Sequence, residues 1–238
     1  ELDSTLAEVY VCRSWIMSYM LYNYSEAEIS CKRAISLSPN NVDVRIGYAN
    51  LLVILGRFRE ALEQIELAIK LDPMNYNSKG PYCMILFCSE RYEDAIDAFK
   101  EFLIIDPENG AALDNLPLAL HMAGRYDEAL QIWQTAFSTY FKGHPNLFKL
   151  KNTSMSYKEL LNQQGDSLAV NLKTRYINPT EIAQIYACAE NRTGTLDMLE
   201  SAFEMHDPNL PYIVRYPVFK FLKGDARFVA LCQKLNLP

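Results

Sequence analysis

The segment FREALEQIELAIKLDP, residues 58–73, carries the pattern that decides the fold. Its apolar residues recur three and four positions apart, which predicts an amphipathic helix. The proline at its end predicts that the helix ends just before it. Residues 24–39 and 92–107 have the same layout, at equal distances before and after it along the chain. The segment is therefore one copy of an internal repeat.

Three columns keep one chemistry through four copies of this period, which composition alone does not produce. The columns are aromatic (Tyr24, Phe58, Tyr92, Tyr126), acidic (Glu26, Glu60, Asp94, Glu128) and alanine (Ala27, Ala61, Ala95, Ala129). A period of about 34 residues, as found here, is typical of paired helices that stack into a solenoid. On these columns the chain resembles the tetratricopeptide repeat, with units at 8–41, 42–75, 76–109 and 110–143.

The resemblance implies two antiparallel helices, A and B, in each unit. A small alanine on helix B allows the two helices to approach closely. Gly56 and Gly124 are placed to end helix A in two of the units. Arginine follows that position in three units, at Arg57, Arg91 and Arg125.

Three residues depart from the repeat pattern. Trp15 stands where a small residue usually packs helix A, and Glu90 replaces the glycine at the turn of the third unit. Pro117 falls in the body of helix A of the fourth unit. Because proline removes one backbone hydrogen bond, we expect a kink or a shortened helix there.

The C-terminal part of the chain has a weaker pattern. Residues 144–176 predict an irregular connection followed by a helix from about Ser156, interrupted at Gly165. Residues 177–238 predict a degenerate helix pair, with a turn at Thr193–Gly194, and a capping tail. The predicted fold is therefore all-α, a right-handed α-solenoid of antiparallel helix pairs with four regular repeats, a degenerate repeat and a C-terminal cap.

The tail element Asp225-Ala226-Arg227-Phe228, together with the opening stretch Leu2–Glu8, is similar to a family of bacterial regulators that contain tetratricopeptide repeats. In that family the array follows an effector domain, which is a winged-helix DNA binder, a nucleotide cyclase or a protein kinase. The chain begins at Glu1 and not at methionine, which we interpret as a piece of a longer protein. The resemblance implies an interaction or sensor role within a larger regulator.

Composition narrows the classes of partner. The 238 residues carry a net charge of −6, which disfavours direct binding of nucleic acid, and no apolar run is long enough for membrane insertion. The six cysteines form no C-x-x-C pair, so a zinc site is not expected. We interpret them as reduced, which favours the cytoplasm, although an even number also permits disulfides. A periplasmic location stays open if the parent chain has an upstream membrane helix.

The sequence holds no catalytic pattern. Its three histidines match no metalloprotease, hydrolase or phosphate-loop motif. The Asp-Pro pairs at 72–73 and 106–107 recur at repeat junctions and are interpreted as structural. We therefore predict a protein that is not an enzyme and that has no cofactor and no metal.

The groove formed by the A helices is the candidate site. The resemblance places seventeen residues on its lining: Val9, Cys12, Ile16, Tyr19, Met20, Asp43, Ile46, Asn50, Val53, Ile54, Asn77, Met84, Phe87, Asp114, Leu118, His121 and Met122. No lysine or arginine is among them, so we do not expect the groove to grip a C-terminal carboxylate. The apolar lining suits an amphipathic helix or an extended apolar segment of a protein or peptide. Packing of the chain's own C-terminal helices against the same residues is an equally weighted alternative.

The sequence therefore predicts a non-enzymatic protein–protein interaction module. One alternative is a self-association scaffold, a homodimer formed through the tail or the first unit that brings attached effector domains together. The other alternative is a tetratricopeptide array that senses a small apolar molecule.

Overall fold

The computed structural model describes residues 5–140, 155–172 and 177–238, and within these ranges every regular element is helical. The α-helices are α1 (Thr5–Trp15), α2 (Tyr24–Leu37), α3 (Val42–Ile54), α4 (Phe58–Leu71), α5 (Lys79–Cys88), α6 (Tyr92–Ile105), α7 (Gly110–Met122), α8 (Tyr126–Tyr140), α9 (Tyr157–Asn171), α10 (Pro179–Cys188), α11 (Arg192–Glu204), α12 (Leu210–Ile213) and α13 (Ala226–Lys234). Shorter elements are a π-helical turn at Ile16–Met20 and 3₁₀-helices at Tyr76–Ser78 and Pro217–Leu222.

The chain divides into two compact units. Unit 1 consists of residues 1–91, 211–215 and 232–238, and unit 2 consists of residues 92–210 and 216–231. Unit 1 is thus assembled from three separate stretches of sequence. None of the helices in the described ranges has the length and apolarity that a bilayer crossing requires.

Unit 1 is built from the helical hairpins α1–α2 and α3–α4, with α5 against α3 and α4. Ala27 and Ala61, the alanines of the repeat column, are fully buried where the paired helices meet. Asparagine side chains begin two of the helices: Asn23 accepts from the backbone N–H of Glu26, and Asn41 accepts from that of Val44. These caps satisfy N–H groups that the first turn of a helix leaves without partners.

The turn from helix A to helix B needs a left-handed backbone. Gly56 and Gly124 adopt φ of 72° and 76°, as the glycine column predicts. Glu90 takes the same conformation, with φ of 62°, at the position where the third unit lacks glycine. A side chain at positive φ is strained, so the turn geometry is imposed by the packing of the two helices and not by the residue.

The arginine column links successive repeats. In unit 1, Arg57 donates to Glu60 in its own repeat and, at 2.7 Å, to Glu28 in the preceding one. In unit 2, Arg125 repeats the arrangement with Glu128 and Glu93. Bidentate guanidinium–carboxylate pairs fix geometry as well as charge, which explains why arginine recurs at this position.

Unit 2 contains the pairs α7–α8 and α10–α11, with α6 against α7 and α9 against α10. The helix α7 spans 13 residues with Pro117 inside it, the same length as α3. Of the two outcomes expected at Pro117, the shortened helix is therefore wrong, and the kink stays a prediction. Ser156 and Glu159 begin α9 with a reciprocal capping box, which agrees with the predicted start of this helix.

Two glycines of the C-terminal region, Gly165 and Gly194, pack against one tyrosine. A Cβ at Gly165 would lie 2.5 Å from Cε1 of Tyr186, and a Cβ at Gly194 would lie 2.9 Å from Cδ2 of the same ring. Gly165 therefore lets α9 approach α10 and does not interrupt α9. The turn predicted at Thr193–Gly194 is also wrong, because α11 begins at Arg192 and Gly194 lies in its first turn.

Most of the tail packs in unit 2. Phe219 and Leu222 are buried, and their 3₁₀-helix contacts α10 and α7. The Asp-x-Arg-Phe element joins the tail to α11, because Asp225 pairs with Arg192 at 3.0 Å and Arg227 pairs with Asp197 and Glu200 at 2.7 Å. This part of the tail has the place that the capping prediction gave it. The connection predicted for residues 144–154 lies outside the described residues.

Candidate partner-binding surface

The predicted groove residues of the first repeat are exposed. On α1 and the π-helical turn, Val9 is 60% exposed and Met20 is 63% exposed, and Cys12 and Ile16 also face solvent. Tyr19 is half-buried. A residue spacing of three and four places these side chains on one side of the helix.

The π-helical turn shapes the end of this surface. Leu21 N donates to Ile16 O at 3.1 Å, an i to i+5 bond that closes the wide turn, and Ser18 donates to Ser14 O. Trp15 is also exposed and lies edge-on to Tyr19, with ring centroids 6.3 Å apart. We call the exposed set Val9, Cys12, Trp15, Ile16 and Met20 the α1 face. Sequence reasoning missed Trp15, which it treated only as a departure from the repeat.

The groove residues of the second and third repeats are less accessible towards the ends of their helices. The structure leaves Asp43 and Asn77 exposed and Ile46 and Asn50 half-buried, and it buries Val53, Ile54, Met84 and Phe87. Burial of the last four removes them from any partner that meets the protein in this conformation.

In unit 1, residues 211–215 cover the end of α3. Nε of Arg215 donates to the carbonyl of Ile54 at 2.7 Å, and Val214 is buried. Burial lowers the pKa of Arg215. A guanidinium placed on the last carbonyls of a helix is favoured by the partial negative charge at that end.

Residues 232–238 complete unit 1. Leu235 is fully buried, and the hydroxyl of Tyr24 donates to its carbonyl at 2.7 Å. Asn236 donates to the carbonyl of Tyr22, and Arg215 donates to that of Pro238. The first two contacts join residues more than 200 positions apart, so no local sequence signal announces them.

A cleft lies beside this contact. It has a volume of about 480 Å³ and is lined by the turn Leu21–Ser25 together with Leu55, Asn236 and Pro238. Its lining has no charged side chain, so nothing in it selects an ionic ligand.

The groove residues of the fourth repeat, on α7, pack against the chain itself. Leu118 is buried, and Asp114, His121 and Met122 are half-buried. The His121 ring stacks on Tyr157 of α9, with centroids 5.7 Å apart and planes at 18°, and Nδ1 lies 3.1 Å from the tyrosine hydroxyl. Burial lowers the pKa of His121 to about 4, so the imidazole is neutral near pH 7.

The pKa of Glu181, on α10, is affected by two carboxyl groups from other parts of unit 2. Loss of hydration around its carboxyl raises the pKa of Glu181 to about 7, although the residue as a whole keeps solvent contact, and the charges of Asp114 and Asp207 contribute to this rise. Asp207 is itself buried and accepts from the hydroxyl of Thr180. Among the described residues no cluster of acidic, histidine or cysteine side chains has the arrangement of a metal site.

All six cysteines lie within the described residues and none is disulfide-bonded. Four of them are buried, and burial raises the pKa of Cys31 to about 11. A thiol in such surroundings behaves as a small apolar residue and is unreactive.

The comparisons with known proteins agree with the repeat architecture. Residues 20–77 match the family model described as tetratricopeptide repeat. No curated protein sequence matches the chain. A structure of MamA, from residue 41 to its end, from Desulfovibrio magneticus RS-1 is similar at a TM-score of 0.53 and 15% identity, covering 84% of this chain and 98% of that one.

A second similar structure is PilF of Pseudomonas aeruginosa, with a TM-score of 0.53 and 14% identity over 97% of this chain and 98% of that one. Identities this low compare folds and carry nothing about partners. The repeat columns, the helix order and the two structures together identify the fold as a tetratricopeptide-repeat α-solenoid.

Proposed function

We propose that the chain is a non-enzymatic protein–protein interaction module, and that the α1 face binds an amphipathic helix or an apolar segment of a partner protein. The observation that carries the proposal is the exposure of large apolar side chains along α1 and the π-helical turn. Exposed apolar side chains that lie together mark interaction sites more often than scattered ones do. Tetratricopeptide repeats are in general protein-binding modules.

The proposal narrows the predicted groove. Val53, Ile54, Met84, Phe87 and Leu118 are buried by the chain itself, so they support the fold. The more accessible residues Asp43, Ile46, Asn50 and Asn77 remain part of the proposed site as its border, and three of these four are polar. Asp114, His121 and Met122 pack in unit 2 and are not included.

We also propose a wider role for the chain within a larger protein and a cellular compartment for it. The likeness of the Asp225–Phe228 element to the tail of bacterial regulators supports a place as the interaction or sensor part of a larger regulator. None of the six cysteines is disulfide-bonded, which is in keeping with a reducing compartment, and we propose the cytoplasm.

Self-association through the same α1 face is the second candidate. The sequence of unit 1 carries 11 Asp and Glu and 11 Lys and Arg, so no net charge opposes the approach of a second copy. The exposed Cys12 lies within the face. A short bismaleimide would therefore cross-link two copies through Cys12 if the faces meet.

Binding is tested with a fluorescein-labelled, uncharged amphipathic peptide of leucine and glutamine, in the presence of reductant. Wild type is compared with Ile16→Asp and with the control Ile29→Asp, which changes an equally exposed isoleucine on α2. We expect Ile16→Asp to weaken binding at least about tenfold and the control to change it less than about twofold. In a Trp133→Phe background, binding should also shift the fluorescence of Trp15 to shorter wavelength.

Equal binding by wild type and Ile16→Asp would contradict the proposed site. Light scattering of the free protein separates the two candidates. A mass that rises with concentration in wild type and not in Ile16→Asp would establish the homodimer in place of the peptide site.

A further inference from the structure

The outer side of α6, in unit 2, has a composition that the other repeats do not share. Ile104 is 80% exposed and Ile105 is 56% exposed at the end of this helix. Asp97 and Glu101 precede them on the same side of the helix. Asp97 lies seven and eight residues before the two isoleucines, and Glu101 lies three and four residues before them. Asp94, one turn earlier, is also exposed.

The exposed isoleucine is not required by the repeat. The residues at the position of Ile104 in the other three copies are Ser36, Lys70 and Ser138, all polar. The position packs against nothing in those repeats that needs an apolar side chain. Ile104 therefore loses contact with water only if something other than the described residues of unit 2 covers it, and leaving it exposed is unfavourable.

The carboxylates in the middle of this side are not paired. Asp97 and Glu101 form no ion pair with another residue in the described ranges, whereas Glu93 on the same helix pairs with Arg125. Around them, the sequence of unit 2 carries 18 Asp and Glu against 12 Lys and Arg. A negative field of this kind attracts a cationic partner and speeds its approach.

We infer that this side of α6, defined by Asp94, Asp97, Glu101, Ile104 and Ile105, is a docking surface for a basic amphipathic segment of another protein. The lysine or arginine residues of the segment pair with the carboxylates, and its apolar residues cover the two isoleucines. A symmetric contact between two copies through this side does not fit, because it would bring the same carboxylates together. Nucleic acid and anionic lipid are repelled for the same reason.

The surface is distinct from the α1 face, which is apolar and lies in unit 1. The inference about the α6 surface is therefore tested independently of the function proposed for the α1 face. The uncharged peptide that tests the α1 face has no charge for the α6 carboxylates to attract. The two surfaces are distinguished because a variant of the α1 face should weaken binding of the uncharged peptide only, and a variant of α6 should weaken binding of the basic peptide only.

The probe is a short fluorescein-labelled helical peptide, with leucines on one side and lysines flanking them. Two companion peptides of the same length replace every lysine by glutamate or every leucine by serine. Fluorescence anisotropy with the intact chain is measured at low and moderate salt. We expect binding of the first peptide, weakening steeply with salt, at least about tenfold weaker binding of the serine peptide, and none of the glutamate peptide.

The variants are Asp97→Lys with Glu101→Lys, and separately Ile104→Ser. The matched control is Glu63→Lys with Glu66→Lys on α4, which reverses the same number of charges at similar spacing in unit 1. We expect the α6 charge reversal to weaken binding at least about tenfold, Ile104→Ser about threefold or more, and the control less than about twofold. Because the changed side chains on α6 are exposed, the α6 variants should retain the wild-type circular dichroism and melting temperature.

Two results would overturn the inference. If the serine peptide binds as well as the leucine peptide, the attraction is only that of a negative protein for a positive chain, with no docking surface. If the control weakens binding as much as the α6 variant, the site does not lie on α6. An Ile16→Asp variant that leaves this peptide's affinity unchanged would separate the outcome from that of the α1 face.

Discussion

The first and fourth repeats place corresponding residues in opposite environments. Ile16 and Leu118 occupy the same position of the repeat period, yet Ile16 is exposed in unit 1 and Leu118 is buried in unit 2. The helix α7 is covered by α10 and by the 3₁₀-helix of the tail. The repeat position fixes the direction of a side chain along its helix, but the neighbouring elements decide whether the side chain meets solvent.

The largest expected effect is the difference in unfolding free energy between alanine substitutions of these two residues. Leu118→Ala should lower the free energy of unfolding by about 2–5 kcal/mol, because it opens a cavity in a packed interior. Ile16→Ala should change it by less than about 0.5 kcal/mol, since the side chain is already in water. Urea denaturation followed by circular dichroism measures both. Similar losses in the two variants would mean that the α1 face is packed in solution, and would remove it as a binding site.

The second expected effect is a pH dependence of stability that comes from His121 in the fourth repeat. His121 has a pKa of about 4 in the folded protein and near 6.5 when unfolded, so the unfolded chain binds a proton first. Stability from the neutral ring is complete above about pH 6.5 and is lost as the pH falls towards 4. The full shift corresponds to at most about 3 kcal/mol, and the partial exposure of the ring reduces it.

The free energy of unfolding is measured as a function of pH for wild type and for His121→Gln, and the difference between the two proteins is taken at each pH. The difference is needed because Glu181 acts in the opposite direction: its raised pKa favours the folded state as the pH falls from about 7. Parallel curves for the two proteins between pH 7 and pH 4 would show that the His121 ring is solvated, and that the fourth repeat is as open as the first.

The smallest effect concerns the part of unit 1 that comes from the C-terminus. Tyr24→Phe removes the hydroxyl that donates to the carbonyl of Leu235 and should cost about 1 kcal/mol. Tyr10→Phe on α1 is the comparison, because that hydroxyl makes no hydrogen bond to residues 232–238. Hydrogen exchange of these residues should also become faster in Tyr24→Phe. Unchanged stability and exchange would mean that this contact does not hold the C-terminal residues in place.

Much of the fold was predictable because it depends on residues close in sequence. The repeat columns, the left-handed position at Gly56 and Gly124 and the start of α9 at Ser156 each follow from the chemistry of a single turn or hairpin. The errors at Pro117 and Gly194 have one cause. Both residues were interpreted by their local propensity, and in each case packing against other helices keeps the segment helical.

The candidate site was predictable only in part. The repeat pattern identified which side of each A helix carries the seventeen residues, and it left open whether a partner or the chain itself covers them. The structure buries five of them and leaves the α1 set accessible. It also adds Trp15, which no spacing rule selected.

The sequence by itself determined the period, the hairpins and the turns at Gly56 and Gly124, because all of these depend on residues within one or two repeats. Only the tertiary structure decided that residues 211–215 and 232–238 complete unit 1, and that α7 is covered in unit 2. Such contacts join residues as much as 211 and 214 positions apart. They form only when tertiary packing brings the two ends of the chain together, and so they leave no periodic signature in the linear sequence.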